Sequence, residues 1–112
     1  MNRNLKLVVN KTFKKEKNYF FEKDELKSIL NLYANMVSNG SWKDYGLGIS
    51  SKKVTFSVFK NAAENAVYKI CKTFKPINQY LKYSITDSNG KIINNSSSLE
   101  NLILRTKWKK IK

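Results

Sequence analysis

The sequence predicts an α+β domain: an antiparallel sheet of about five strands, packed on one face by an N-terminal and a C-terminal helix. Three observations carry this expectation. Apolar residues recur at helical spacing between Leu26 and Val37. From Tyr45 onward the period changes to two, with turn signals between successive runs. Helical spacing then returns at Leu99, Leu102 and Ile103. A chain of 112 residues with 41% apolar content forms one domain and supplies a core without a disulfide or a metal.

Residues 1–19 are basic and weakly patterned. Leu5, Leu7 and Val9 alternate with other residues, which suits either an edge strand or a frayed end. The single α+β domain is therefore expected over residues 20–112. Its first helix is expected from Glu22 to Asn39, with Leu26, Ile29, Leu30, Tyr33, Met36 and Val37 on one face. Glu22 and Glu25 have capping-box spacing, Phe21 and Leu26 the spacing of a hydrophobic staple, and Gly40 suits the residue that ends the helix.

Tyr45, Leu47 and Ile49 alternate with smaller or polar residues, as do Val54, Phe56 and Val58. Ser50-Ser51-Lys52-Lys53 between them reads as the connection of an antiparallel hairpin. After a polar break at Asn61–Asn65, Val67–Phe74 is a third strand, ended by Pro76. Tyr80–Thr86 and Lys91–Ile93 flank Asp87-Ser88-Asn89-Gly90, where Asn-Gly is a strong turn signal. Ser97 and Glu100 have the spacing to open a last helix running toward Trp108.

Charge narrows the function. Lys and Arg number 22, Asp and Glu 8, and histidine is absent, for a formal net charge of +14. The missing histidine removes the usual general base, metal ligand and triad partner. Asp24 and Asp87 have structural explanations at a helix start and a turn, and Glu16, Glu22, Glu25 and Glu100 read as solvated or capping. Asp44 and Glu64 are left as the carboxylates without a local reason. Cys71, the single cysteine, excludes an intrachain disulfide and reads as a small apolar filler. No catalytic constellation, metal site or cofactor motif is expected. Gly46-Leu47-Gly48 lacks the third glycine of a nucleotide fingerprint and reads as a strand with small residues on one side. No apolar run is long enough to span a membrane and no signal-peptide core is present, so a cytoplasmic location is expected.

The basic residues point to an anion. Arg3 and Arg105 are the only arginines. Such lysine and asparagine enrichment accompanies AT-rich coding, so the informative part is the shortage of acids. Residues 52–82 carry Lys52, Lys53, Lys60, Lys69, Lys72, Lys75 and Lys82 against Glu64 alone. With Tyr68 and Ile70 facing the core, Lys69 projects to the open face beside Thr55, Ser57 and Phe59, which reads either as a platform for single-stranded nucleic acid or as a solvated strand face whose lysines blunt edge pairing. The cluster Trp42-Lys43-Asp44-Tyr45 has two readings. Either the rings stack on a base with Lys43 on a phosphate, or Trp42 covers the end of the first helix while Tyr45 faces the core. The candidate binding residues are Trp42, Lys43, Asp44, Tyr45, Lys52, Lys53, Lys60 and Lys69. The tail from Lys107 to Lys112 is basic, with Trp108 and Ile111 as apolar anchors.

Phe21, Glu25-Leu26, Ile29-Leu30-Asn31-Leu32-Tyr33, Met36-Val37, Gly40, Trp42, Asp44-Tyr45, Phe56–Lys60, Glu64 and Tyr68-Lys69-Ile70 together resemble a small family of short proteins of unknown function, found mainly in alphaproteobacteria. The family usually has arginine where Lys43, Lys60 and Lys69 stand, proline near Ala66 and an acid near Cys71. The resemblance implies a stand-alone cytoplasmic domain and no particular activity. The net charge of +14 and the lysines clustered in residues 52–82, not the resemblance, lead to the expectation of a non-enzymatic basic module that contacts nucleic acid or another polyanion. The alternative is a protein-interaction or self-association domain that uses a sheet edge or the Trp42 and Trp108 regions.

Overall fold

The computed structural model describes residues 19–61 and 65–109. All of the segment read as an edge strand or frayed end except Tyr19, together with Glu64 and the last three residues of the tail, lies outside the described residues. The element order is α1 (Lys23–Ser38), β1 (Asp44–Ile49), β2 (Lys53–Phe59), β3 (Tyr68–Thr73), β4 (Tyr83–Thr86), β5 (Ile92–Ser96) and α2 (Leu99–Arg105), with a 3-10 turn at Gln79–Leu81. All strand pairs are antiparallel and the spatial order is β1-β2-β3-β4-β5, a meander in which each strand pairs with its sequence neighbour. The fold is the α+β arrangement the sequence predicts.

Glu22 opens α1 with a reciprocal capping box: its amide donates to Glu25 Oε1 at 2.7 Å, while its own side chain accepts from the Glu25 backbone. The helix ends where Gly40 takes φ +82°, a conformation that needs no Cβ, and Ser41 and Trp42 amides both return to the Met36 carbonyl. Gly90, at φ +83°, plays the matching part in the turn before β5.

Directly opposed residues share a face of the sheet. The inner face carries Val54, Phe56 and Val58 of β2, Tyr68 and Ile70 of β3, and Tyr83 and Ile85 of β4, all buried. Ile29 and Met36 from α1 and Leu99 and Leu102 from α2 close over it.

Three boundaries differ from the sequence expectation. Tyr80 and Leu81 belong to the 3-10 turn, because the Asn78 side chain accepts from the Tyr80 amide and bends the chain before β4. β5 runs on through Asn94, Asn95 and Ser96, whose polarity suits the C-terminal end of α2: Asn94 donates to Thr106 Oγ1 at 3.2 Å and Arg105 to the Asn95 carbonyl at 2.7 Å. Ser98, rather than Ser97, caps α2 by accepting from the Asn101 amide, and the helix stops at Arg105. Trp108 therefore lies beyond the helix, with its ring edge-on to Trp42 and Tyr68 and its Nε1 donating to the Ile103 carbonyl. Among the described residues no helix is long and apolar enough to cross a membrane.

Candidate functional site

The face of the sheet opposite the helices is built from two rows of side chains, short except for Lys69. One row crosses four strands as Gly46, Ser57, Lys69 and Thr86; the next crosses five as Gly48, Thr55, Cys71, Ser84 and Asn95. Lys53 and Thr73 close one end and Asp44 and Phe59 the other. Between the rows lies a shallow trough of about 520 Å³, flanked by Lys53, Lys69 and Phe59. Among the described residues no carboxylate lines it. Asp44, exposed at the start of β1, shares the face but stands outside the trough.

The trough floor is low for a specific reason. A Cβ on Gly48 would meet nothing within 4 Å, and one on Gly46 only the Phe59 ring at 3.9 Å. Neither glycine has a left-handed backbone, so neither packing nor conformation requires a glycine there. Their effect is to leave the β1 backbone uncovered beside Phe59, an arrangement that admits close approach of a ligand. Cys71 is buried between neighbours, with its Sγ 3.6 Å from Thr55 Oγ1, consistent with a filler. The hydroxyl of Thr86 is buried and has no partner among the described residues.

Lys53 and Lys69 are exposed at the trough, some four residues apart along the ladder, or about 13 Å. Lys52 stands in the adjoining turn. Lys43 and Lys60 are elsewhere: with Val37, Gly40, Trp42 and Asn61 they line a separate hollow of about 360 Å³ at the end of α1. There Lys60 Nζ donates to the Gly40 carbonyl, a cation at a helix C-terminus. Trp42 is 2% exposed and packs against Tyr33, Tyr68 and Trp108. At that exposure the indole has almost no surface left to stack on a base, and the residue packs into the end of the core. Tyr45 is on the helix side of the sheet, stacked on Phe56 with ring centroids 4.9 Å apart. It is therefore separated by the sheet from Lys53 and Lys69. Tyr33, edge-on to Tyr45, donates to the Lys43 carbonyl at 2.9 Å; burial, with the negative charge of Asp44 and the neighbouring Tyr45, raises its phenol above the ordinary value.

One lysine counted with the basic cluster is not on the surface. Lys72 follows Tyr68 and Ile70 on the inner face, and its side chain is 4% exposed. Its Nζ donates to Glu25 Oε1 at 2.9 Å and to the Phe20 carbonyl at 2.9 Å, while Tyr83 donates to Glu25 Oε2. Burial pushes the Glu25 carboxyl upward, but hydrogen bonds from Tyr83, the Glu22 amide and Lys72, with the Lys72 charge, outweigh it and hold the group below its ordinary 4.5. Burial, then the hydrogen bond to Glu25, then the charges of Glu25 and Glu22 raise the Tyr83 phenol. Glu25, read from the sequence as solvated or capping, thus caps its helix and also neutralises a buried cation. The missed signal is periodicity: if Tyr68 and Ile70 point inward, so does Lys72, and an inward lysine needs an anion.

A hollow of about 290 Å³ borders Glu25 and Tyr83, together with Asp24, Ser28, Ser98 and Glu100. Its acidic lining suits no anion, and the three buried polar groups beside it are directed at one another. Among the described residues no three His, Cys, Asp or Glu side chains gather as a metal would require.

A family described as "protein of unknown function (DUF2794)" matches residues 19–103. No curated protein and no solved structure matches the chain.

Proposed function

The chain belongs to the DUF2794 family, whose description names no activity, and from the geometry we propose that it is a non-enzymatic cytoplasmic module that holds a single-stranded nucleic acid on the open face of its sheet. The observation that carries this reading is the trough itself. Lys53 and Lys69 project from a floor of glycine and hydroxyl side chains, with the Phe59 ring at its border and no carboxylate among the described lining. Such a face meets a nucleic acid strand through phosphates at the lysines and base stacking at the ring. The hydroxyl of Thr55 lies between the two lysines and that of Ser57 beside Lys69, and both can donate to sugar or phosphate oxygens. The surrounding net charge of +14 steers a polyanion toward the protein but does not select this face.

Anisotropy titrations with labelled single-stranded RNA and DNA test the reading over a series of salt concentrations. Affinity should fall linearly on a log–log plot against salt. The double variant Lys53→Ala/Lys69→Ala should bind more weakly and flatten the slope by about 1.4, two phosphate contacts at about 0.7 each for single strands. The control is Lys23→Ala/Lys27→Ala, which removes the same charge from exposed positions of α1. Equal losses in the two double variants would reduce the binding to general charge attraction and overturn the assignment to this face.

A further inference from the structure

The two edges of the sheet are built differently. At β5 the 3-10 turn packs alongside, a register shift interrupts the ladder at Ile85–Thr86, and α2 holds Asn94 and Asn95. These are ordinary ways of blunting an edge. Among the described residues β1 has none of them. It is a straight run of six residues paired in regular register, with no proline, no bulge and no lysine from Asp44 to Ser51.

The direction of its free backbone groups follows from the hairpin. The Ser50 amide donates to the Lys53 carbonyl, so the 50–53 pair is hydrogen-bonded, and alternation makes 48–55, 46–57 and 44–59 hydrogen-bonded as well. The N–H and C=O groups of Tyr45, Leu47 and Ile49 therefore point outward, and among the described residues nothing takes them. The next outward carbonyl, that of Lys43, is taken by Tyr33. The side chains of the same three residues stand on the helix side of the sheet, where the helices leave them 48%, 46% and 63% exposed. Leu30 and Val37 of α1 are also exposed, and Tyr33 between them touches Tyr45.

We propose that β1 is the pairing edge of a symmetric dimer, in which two copies join antiparallel, strand to strand, into one ten-stranded sheet with Leu47 on the two-fold axis. Outward-pointing residues 45, 47 and 49 make this register self-complementary. Tyr45 bonds to Ile49 of the second copy, Leu47 to Leu47 and Ile49 to Tyr45, and the three apolar side chains of each copy meet those of the other on one face. The polar ends agree as well. Asp44 of each copy comes opposite Ser50 of the other, beside the turn that carries Lys52 and Lys53. A peptide of another protein would also satisfy the backbone, but a second β1 supplies matched apolar residues and an opposite charge at each end. The exposed parts of the five side chains with the strand backbone come to roughly 500 Å² per copy, so the interface is a small one and its dimer is concentration-dependent.

Sedimentation velocity of the full chain over a wide concentration range tests this. The mass should move from one copy to two, and the dimer fraction should rise with salt, because screening weakens repulsion between two strongly basic chains. Nucleic acid binding has the opposite salt dependence, so the two behaviours are separable. Leu47→Lys places like charges on the axis and should leave a monomer with an unchanged circular dichroism spectrum. Ile49→Pro removes an amide that points away from β2, so the internal ladder stays intact while pairing is lost. In a Cys71→Ser background, Leu47→Cys should form an intermolecular disulfide on oxidation, since paired Cα atoms lie about 5.5 Å apart in such a register. Ile49→Cys should not. A monomer at every concentration, a dimer unaffected by both edge variants, or cross-linking through position 49 and not 47 would each overturn the proposal.

Discussion

Replacing Lys72 with methionine removes a buried cation and keeps most of the apolar stem that packs beneath the sheet. The Glu25 carboxylate then loses its ion pair at 2.9 Å, and the Phe20 carbonyl loses a donor. Breaking one side of a buried pair costs about 3–5 kcal/mol, chiefly through the charge left behind. Here the orphaned carboxylate keeps 14% exposure and two other donors, the Tyr83 hydroxyl and the Glu22 amide. Those partners put the expected loss at the lower end, about 3 kcal/mol, a large part of the roughly 5–15 kcal/mol of a domain. Adding Glu25→Gln removes the stranded charge, so the double variant should lose about 2 kcal/mol less than the two single losses added together. The assay is urea denaturation followed by circular dichroism, repeated from neutral to acid pH. Folding holds the Glu25 carboxyl below 4.5, so the unfolded chain takes up its proton first as pH falls. This contribution is complete above about 4.5 and is lost as pH drops through the folded value. In Lys72→Met that acid-side loss should be shallower. A cost below about 0.5 kcal/mol with an unchanged acid profile would refute the pairing.

Gly48→Val places a β-branched residue where a Cβ meets nothing. Stability should hold or rise by about 0.5–1 kcal/mol while nucleic acid affinity falls, and denaturation beside anisotropy checks both. Lower stability with undiminished affinity would assign the glycine to the backbone instead. Trp108→Ala removes rings' edge contacts to Trp42 and Tyr68, with centroids at 5.6 and 5.0 Å, and should cost about 2 kcal/mol for a half-buried aromatic. Near-ultraviolet circular dichroism should weaken with it; an unaltered spectrum and midpoint would show that the segment after α2 does not close the core.

What the sequence made legible was periodicity and punctuation. The apolar stripe of α1, the Glu22–Glu25 box and the turns at Ser50–Lys53 and Asn89-Gly90 are local signals, and they placed the helix and the hairpins. The choice of Tyr68 and Ile70 as inward residues set the register of β3 and with it the open-face position of Lys69. The extension of β5 through Asn94 and Asn95 was hidden, since those polar residues are satisfied by Thr106 and Arg105, which only the folded chain brings near. The same reason hid the exposure of β1. Tyr45, Leu47 and Ile49 have the alternation of a core strand, and nothing local says that the helices stop short of them. Of the eight binding candidates, Lys53 and Lys69 flank one trough, whereas Lys43 and Lys60 share another hollow whose wall includes the nearly buried Trp42. Sequence proximity had grouped Trp42 to Tyr45, but alternation along β1 sends Asp44 and Tyr45 to opposite faces.

Two of the three partners of the Glu25 carboxylate lie at very different distances along the chain. The Glu22 amide is three residues away and present as soon as the helix is made, whereas Lys72 is 47 residues downstream. At translation rates of about 5–20 residues per second, the acid is synthesised roughly 2–9 s before its cation. During that interval the capping box gives the carboxylate a local role in water, so the first helix carries its charge at no burial cost. When β3 arrives with Lys72, the same side chain turns from a local cap into the long-range tie that fixes helix to sheet. One glutamate thus links the cap of the first helix to the middle strand of the sheet.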